Sequence, residues 1–466
     1  MTGKIQVQEP LLPQHHRRVS AEESSSSAGG GCASVTGAVF NVSTSIIGAG
    51  IMSIPATLKV LGVIPAVLLI LFIAVLSEVS VDFLLRFTSW GKSTTYAGLM
   101  GESFGRAGSV GLQICIMVTT LGTLIIYLII IGDVLCGTAN TVSKGVTVEH
   151  LGILQEWFGT HWWNTRTFAL LFMVISSLPR SCCLNAFKYS ELIYGVHDDA
   201  ESLRFSSAVS ILLAVVFVVI STVMAISALW AGKTNSPKLV PDLVNSSSYF
   251  ELFTAVPVIV TAFTFHFNVH PIGNELNKSS DMVSAVRISL VLCATIYIAV
   301  GFFGYLLFGD SVLPDILANF DQNFGSKVGS VLNDVVRLSY ALHLVLVFPL
   351  LNFALRINID GLIFPKSWPL LASHNIRFLS LTFFLLAIIY IAAIAIPNIW
   401  YFFQFMGSTT ALCLAFIFPG AIVLRDAHGI STKRDRILAG VMIGLAVIAS
   451  SIAIYTNINT LVKKDS

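Results

Sequence analysis

The strongest constraint on this chain is a series of apolar runs, each about as long as a bilayer is thick, separated by polar punctuation. A hydrocarbon core of about 30 Å takes roughly 20 mainly apolar residues of α-helix. Runs near that length recur at 34–57, 61–87, 108–136, 167–187, 206–230, 250–272, 286–308, 331–353, 375–396, 399–424 and 437–458, segments one to eleven. The fourth has the shortest apolar core, because Arg180 follows Pro179 in its second half. Charged residues make up 11% of the chain and hydrophobic ones 55%, against roughly 25% charged in soluble domains. Lipid is therefore its main solvent, and the predicted fold is an all-α polytopic membrane protein of about eleven transmembrane helices.

Residues 1–33, which include "SAEESSSSAGGG", read as a solvated, disordered leader and not as a cleavable signal peptide. A cytosolic N-terminus puts the larger share of the 27 lysines and arginines on the inner side, a set running from Lys4, Arg17 and Arg18 to Arg425, Lys433, Arg434 and Arg436. That is the usual bias of membrane proteins. With an odd helix count the C-terminus falls on the opposite side. The loop 231–249 then faces outward, its "NSS" at Asn245 is a glycan acceptor, and the sequon at Asn277 faces the cytosol and stays bare.

Several function classes drop out. A net charge of +2, with no basic run beyond "TKRDR" at 432–436, gives no basis for binding nucleic acid. The seven cysteines lack zinc-site spacing, so no metal is expected. No phosphate-binding G-x-x-x-x-G-K-[ST] loop is present to drive ATP-powered transport, and no cofactor is implied.

Two segments carry helix-breaking chemistry at mid-membrane depth. Segment one contains "NVSTSIIGAGIMSIP", Asn41 to Pro55, with Gly48 and Gly50 flanking Ala49. Small residues of this kind let transmembrane helices approach closely; they also suit an unwound helix. A half-helix starting near Gly50 would aim free N–H groups and a positive dipole end at an anion, while the carbonyls ending the preceding half face a cation. An amino acid zwitterion fits both ends. Segment six contains "VPVIVTAFTFHFNVHPIGNEL", where His266, Asn268, His270 and Pro271 interrupt an otherwise apolar helix. The two interruptions lie five helices apart, the spacing of two inverted five-helix repeats.

These stretches, with "IIYLIIIGDVL" at 125–135 and "RLSYALHLVLVFPLLNF" at 337–353, resemble the amino acid/auxin permease family. Within it they are similar to the plant vacuolar-type amino acid transporters and, more distantly, to the animal sodium-coupled neutral amino acid transporters. The resemblance runs from about residue 34 to 458. It implies the inverted-repeat fold of the amino acid–polyamine–organocation superfamily: repeats at about 34–230 and 250–424, an extra helix at 437–458 and a short tail at 459–466. It also implies a neutral or acidic amino acid substrate between segments one and six, a vacuolar address ahead of endoplasmic reticulum or plasma membrane, and no catalytic residue. The expected substrate-binding residues are Thr44, Ile47, Gly48, Ala49, Gly50, Phe263, Phe265, His266 and Asn268. The protein is expected to work as a monomer in the bilayer.

Two departures from the resemblance matter. The sodium-coupled relatives have an asparagine where Thr44 stands and threonines where Val345 and Val347 stand. Valine offers a sodium ion only backbone oxygen already committed to the helix. A coupling proton is expected instead, with His343 on segment eight and His266 as its candidate carriers, since intramembrane ionisable groups mark ion paths and histidine titrates near neutrality. The other departure is a long connection at 181–202 between segments four and five. Glu78 and Asp133 lie nearer helix ends and read as solvated or capping groups; Asp310, Asp315 and Asp321 read as residues of an outer loop. A sodium-coupled neutral amino acid transporter and a nutrient sensor on the same fold are the alternatives, with a membrane enzyme using His343 as a base behind them. Flux of a labelled amino acid into liposomes separates the sensor and the enzyme from a transporter.

Overall fold

The computed structural model describes residues 34–142, 146–178, 200–234, 236–241, 246–274, 276, 279–321, 327–364, 374–396 and 399–465. Asn245, Asn277, the leader 1–33 and most of the long connection at 181–202 lie outside them. Among the described residues, nine helices are long and apolar enough to cross a membrane, and they correspond to segments two, three and five to eleven. Segment one is a pair of shorter helices, Val35–Ile46 and Ala49–Leu61, bent by 51°. Segment four is a shorter apolar helix, Arg166–Leu178.

Local chemistry sets the boundaries. Ser34 caps segment one by accepting the Gly37 amide at 3.1 Å, and Thr95 caps segment three through the Gly98 amide at 3.1 Å. Segment three runs Tyr96–Cys136 and starts well before its apolar run, with a kink at Gly105, whose φ of 68° suits only glycine. Gly62, φ 76°, turns segment one into segment two while its α-carbon packs on the Val240 backbone. Segment two, Val63–Trp90, shows how a membrane helix partitions its faces. Ile64, Leu68, Leu71, Phe72 and Val75 form an exposed stripe at helical spacing, while Ile70, Ile73, Ser77 and Val81 are buried.

One element had no counterpart in the apolar pattern. Between segments three and four, Thr138–Val142 pairs antiparallel with Val146–His150, with Thr138 opposite His150. Thr and Val supply six of its ten strand residues, a strand-like composition that a search for long apolar runs passes over.

The bundle has a near end, where Val35 lies, and a far end. At the far end, Asp133 is neither solvated nor a cap: it is buried and paired with Arg166. Arg337, on segment eight (Lys327–Ile363) and 1% exposed, donates to Glu156 at 2.6 Å and to the Leu151 carbonyl at 2.5 Å. A charge taken from water needs such a partner. Glu78 pairs with Arg287 at 2.7 Å, tying segment two to segment seven.

Candidate functional site

Segment one leaves the α-helix at Ile47. Ile47 (φ −75°, ψ 91°) and Gly48 (φ −131°, ψ −154°) are extended; Ala49–Ser53 resumes as a 3₁₀ helix and Ile54–Leu61 as an α-helix with Pro55 in its first turn. Neither Gly48 nor Gly50 has a positive φ, so space and not backbone conformation requires them. A Cβ on Gly50 would stand 2.7 Å from the Ala262 Cβ, and one on Gly48 would stand 3.2 Å from the Tyr127 hydroxyl. Gly50 thus lets the break in segment one rest directly on segment six.

Segment six is Ser246–Ala262, a non-helical turn over Phe263–Phe265, then His266–Gly273. The break therefore precedes His266, Asn268, His270 and Pro271, which are helical. Pro271 comes in the last turn of the second piece and can only loosen that turn. The first piece ends through its threonines. Thr261 Oγ1 donates to the Pro257 carbonyl at 2.8 Å and Thr264 Oγ1 to that of Val260 at 2.7 Å, while the Thr264 amide falls back to Thr261 at 3.2 Å. Side-chain and i−3 bonds there displace the α-helical ladder.

Two tyrosines hold carbonyls that the breaks release, and a third stands beside them. The buried Tyr297 hydroxyl lies 2.6 Å from the Ile46 carbonyl and 3.0 Å from that of Ala262, bridging both broken segments. Its single proton serves one carbonyl at a time. Tyr340 donates to the Gly48 carbonyl at 2.8 Å, and Tyr127 stands beside Gly48. Sequence reasoning missed all three. The available signal was a lone tyrosine within each of "IIYLIII", "ATIYIAV" and "RLSYALH", since a buried phenol needs a partner.

Between the breaks lies a cavity of about 310 Å³. Of the predicted binding residues, Thr44, Ile47, Gly48, Ala49, Gly50 and Asn268 lie on its wall, and so does His343. Phe263, Phe265 and His266 do not. Phe263 packs edge-on against Tyr297 at 5.1 Å, and His266 is fully buried between Phe265 and Phe416. The aromatic residues on the wall are Tyr127, Phe267 and Phe403, joined by Thr119, Thr120 and Thr123 from segment three. His270 contacts the Thr88 hydroxyl at 2.8 Å and stacks on Tyr96. The His343 ring lies 5.0 Å from the ring of Tyr340, the residue that holds Gly48. Val347 is on the wall; the Thr44 hydroxyl, also on it, donates to the Asn41 carbonyl at 3.0 Å.

Among the described residues, no Asp, Glu, Lys or Arg lines this cavity. What it presents to a charged ligand is backbone together with neutral polar side chains, among them Asn268 and His343. The Ala49 and Gly50 amides, which open the Ala49–Leu61 half, lack a carbonyl one turn back, as at any helix start, whereas that of Ile51 already donates to Gly48 at 3.3 Å; the free amides carry the positive end of the helix dipole. Toward the far end the space is filled: Ser53 Oγ donates to the Pro314 carbonyl at 2.6 Å and Lys59 Nζ to that of Val312 at 3.1 Å.

A family model described as transmembrane amino acid transporter protein matches residues 31–457. Amino acid transporter AVT6C of Arabidopsis thaliana is 57% identical over 429 residues, covering 92% of this chain and 94% of that protein. Amino acid transporter AVT6A of the same plant is 46% identical over 465 residues, 100% of this chain and 96% of that one. Sodium-coupled neutral amino acid transporter 7 of Danio rerio is 25% identical over 400 residues, 84% and 79% of the two chains. Among solved structures, a mutant of the Eremococcus coleocola manganese transporter superposes with a TM-score of 0.52 at 12% identity, over 90% of this chain and 87% of that one, a likeness of fold alone. With its apolar helices, its two interrupted segments and a family match over nearly its whole length, the chain is a multi-pass membrane protein that belongs to the transmembrane amino acid transporter family.

Proposed function

We propose that this protein is a secondary active transporter of an endomembrane that moves neutral amino acids by alternating access, coupled to protons and independent of sodium. The observation that carries this reading is a cavity shared by both broken segments and walled, among the described residues, without an Asp, Glu, Lys or Arg. A zwitterion brings one charge of each sign, so helix-end amides and carbonyls can satisfy it without a counter-ion. While His343 is neutral, a net-charged amino acid would leave its extra charge unpaired in the low dielectric, a cost of several kcal/mol by ordinary estimates. That favours neutral substrates over acidic and cationic ones. The volume falls at the small end of ligand pockets, about 300–1,000 Å³, suited to one amino acid.

The substrate carboxylate is assigned to the amides after Gly48, with Asn268 beside it. Proton coupling is assigned to His343, which reaches the break through Tyr340. A protonated ring there would sit by the carbonyl ends of the first half-helix, a favourable pairing. His266 is the weaker candidate, because it is absent from the wall. Transport out of an acidic compartment would use such coupling directly, which suits a vacuolar membrane with the N-terminus cytosolic. Calorimetric titration of the purified protein with neutral, acidic and cationic amino acids tests the substrate class. Binding of neutral ones alone is the expected result, and tighter binding of aspartate or lysine would overturn it.

A further inference from the structure

The loop between segments seven and eight holds a carboxylate for which the transport reading has no use. Asp315 is 4% exposed, and only one of its oxygens is engaged: Oδ1 accepts the Leu317 amide at 3.0 Å. Its Oδ2 is buried with no hydrogen-bond partner among the described residues. The short turn Ile316–Asn319 that follows packs on segment three, on segment eight and on the 3₁₀ turn Ala49–Ser53. Segment three brings Asp133, paired with Arg166; segment eight brings Arg337, paired with Glu156, and Tyr340. The turn Ala49–Ser53 brings no titratable group.

Charge bookkeeping then isolates one group. Asp133 with Arg166, and Arg337 with Glu156, are two self-neutral pairs. Asp315 is the odd charge, and an ionised Asp315 would leave a buried negative charge without a cation of its own. Burial first, and the Asp133 carboxylate second, push its pKa well above the usual carboxylate range. The residue before it, Pro314, receives the Ser53 hydroxyl, so Asp315 sits on the loop that covers the far half of segment one.

We propose that Asp315 is a proton-binding site of the far gate: its carboxyl is protonated while the loop lies on segment one and gives its proton to water when the loop lifts. The step is a simple ionisation, and the carboxylate it leaves is stabilised by the water that enters. Because the closed state holds the proton more tightly, its advantage is full below the ordinary carboxylate range and is lost as pH rises through the raised closed-state value. Acid on the far side thus favours a shut gate. This site is separate from the coupling role assigned to His343 and does not depend on it.

Infrared difference spectroscopy on the whole protein, stepped in pH, reads the proton directly and requires no transport. The expected result is a protonated-carboxyl C=O band that persists above the pH at which ordinary carboxylates ionise, is absent from Asp315→Asn and is shifted in Asp315→Glu. Reaction of Ser53→Cys with an impermeant maleimide, taken over the rate of the parent protein, reads the gate. Divided at each pH by the rate of a free model thiol, because maleimide reacts with the thiolate, it should speed up at least several-fold as far-side pH rises, and stay low at every pH when Asp315→Asn is added. A band unchanged in both Asp315 variants, or labelling whose pH dependence survives Asp315→Asn, overturns the proposal. Should Asp315→Asn fail to fold, the Asp315→Glu band shift still decides. Loss of amino acid flux with the Asp315 band intact would instead count against the transport reading.

Discussion

At the residue scale, the two glycines that draw attention in the sequence differ in what they do. Gly50 touches Ala262 so closely that a methyl group meets both its Cβ and its backbone, whereas Gly48 faces only the end of a tyrosine side chain. Gly50→Ala should therefore cost about 1–3 kcal/mol, the usual range for overpacking, and Gly48→Ala clearly less, a ranking that thermal unfolding in detergent would reveal. Equal melting temperatures would remove the close approach as the reason for Gly50. Tyr297→Phe deletes one hydroxyl and leaves two carbonyls in apolar surroundings. A loss of about 1–3 kcal/mol is expected, with weakened substrate binding because both breaks lose a common anchor. Asn268 and His270 make a third test. Asn268→Leu, on the cavity wall, should lower affinity at least tenfold, while His270→Gln, at the Thr88 and Tyr96 contact, should lower stability and leave affinity nearly unchanged. Equal small effects on affinity would mean that the cavity is not the binding site.

At the element scale, the existence of the breaks was legible and their position only partly so. In segment one, Gly48 and Gly50 at mid-run gave both, because few other compositions interrupt a membrane helix. In segment six, the polar residues drew the eye, yet the helix ends before them, at Thr261 and Thr264, whose hydroxyls cap their own preceding turns. Threonine in an apolar helix is too common to mark a break. The tyrosine clamp was illegible for another reason: Tyr297 and Tyr340 come from two different segments, and no local pattern states which carbonyl each will meet. Asp133 was misjudged because proximity to a helix end says nothing of what packs over it, and a loop position likewise did not tell that Asp315 is buried. Segment ten adds a feature that no periodicity predicts, two π-helical turns at Gly407–Ala411 and Cys413–Ile417, a form common near functional sites. There, a Cβ on Gly407 would collide with the Pro257 carbonyl, but nothing lies within 4 Å of one on Gly440. Gly407→Ala should abolish the monodisperse folded protein, and Gly440→Ala should leave its melting temperature in place. A stable Gly407→Ala protein would show that segments six and ten are not packed this closely.

At the scale of the whole molecule, a bundle shut at one end around a cavity with backbone-lined poles suits a carrier that opens to each side in turn, the behaviour proposed for it here. Its far closure rests on the loop carrying Pro314 and Asp315, its near side on Thr44, Ser45, Leu350 and Leu351 at the cavity wall. If His343 carries the coupling proton, His343→Ala should leave sodium independence unchanged and flatten the pH dependence of flux. A purely structural role would lower stability and keep that dependence. The most direct measurement is uptake of a labelled neutral amino acid into proteoliposomes under an imposed pH gradient or an imposed sodium gradient, each alone. The account predicts concentrative uptake with the pH gradient and none with sodium. Concentrative uptake driven by sodium alone, with no response to the pH gradient, would contradict it.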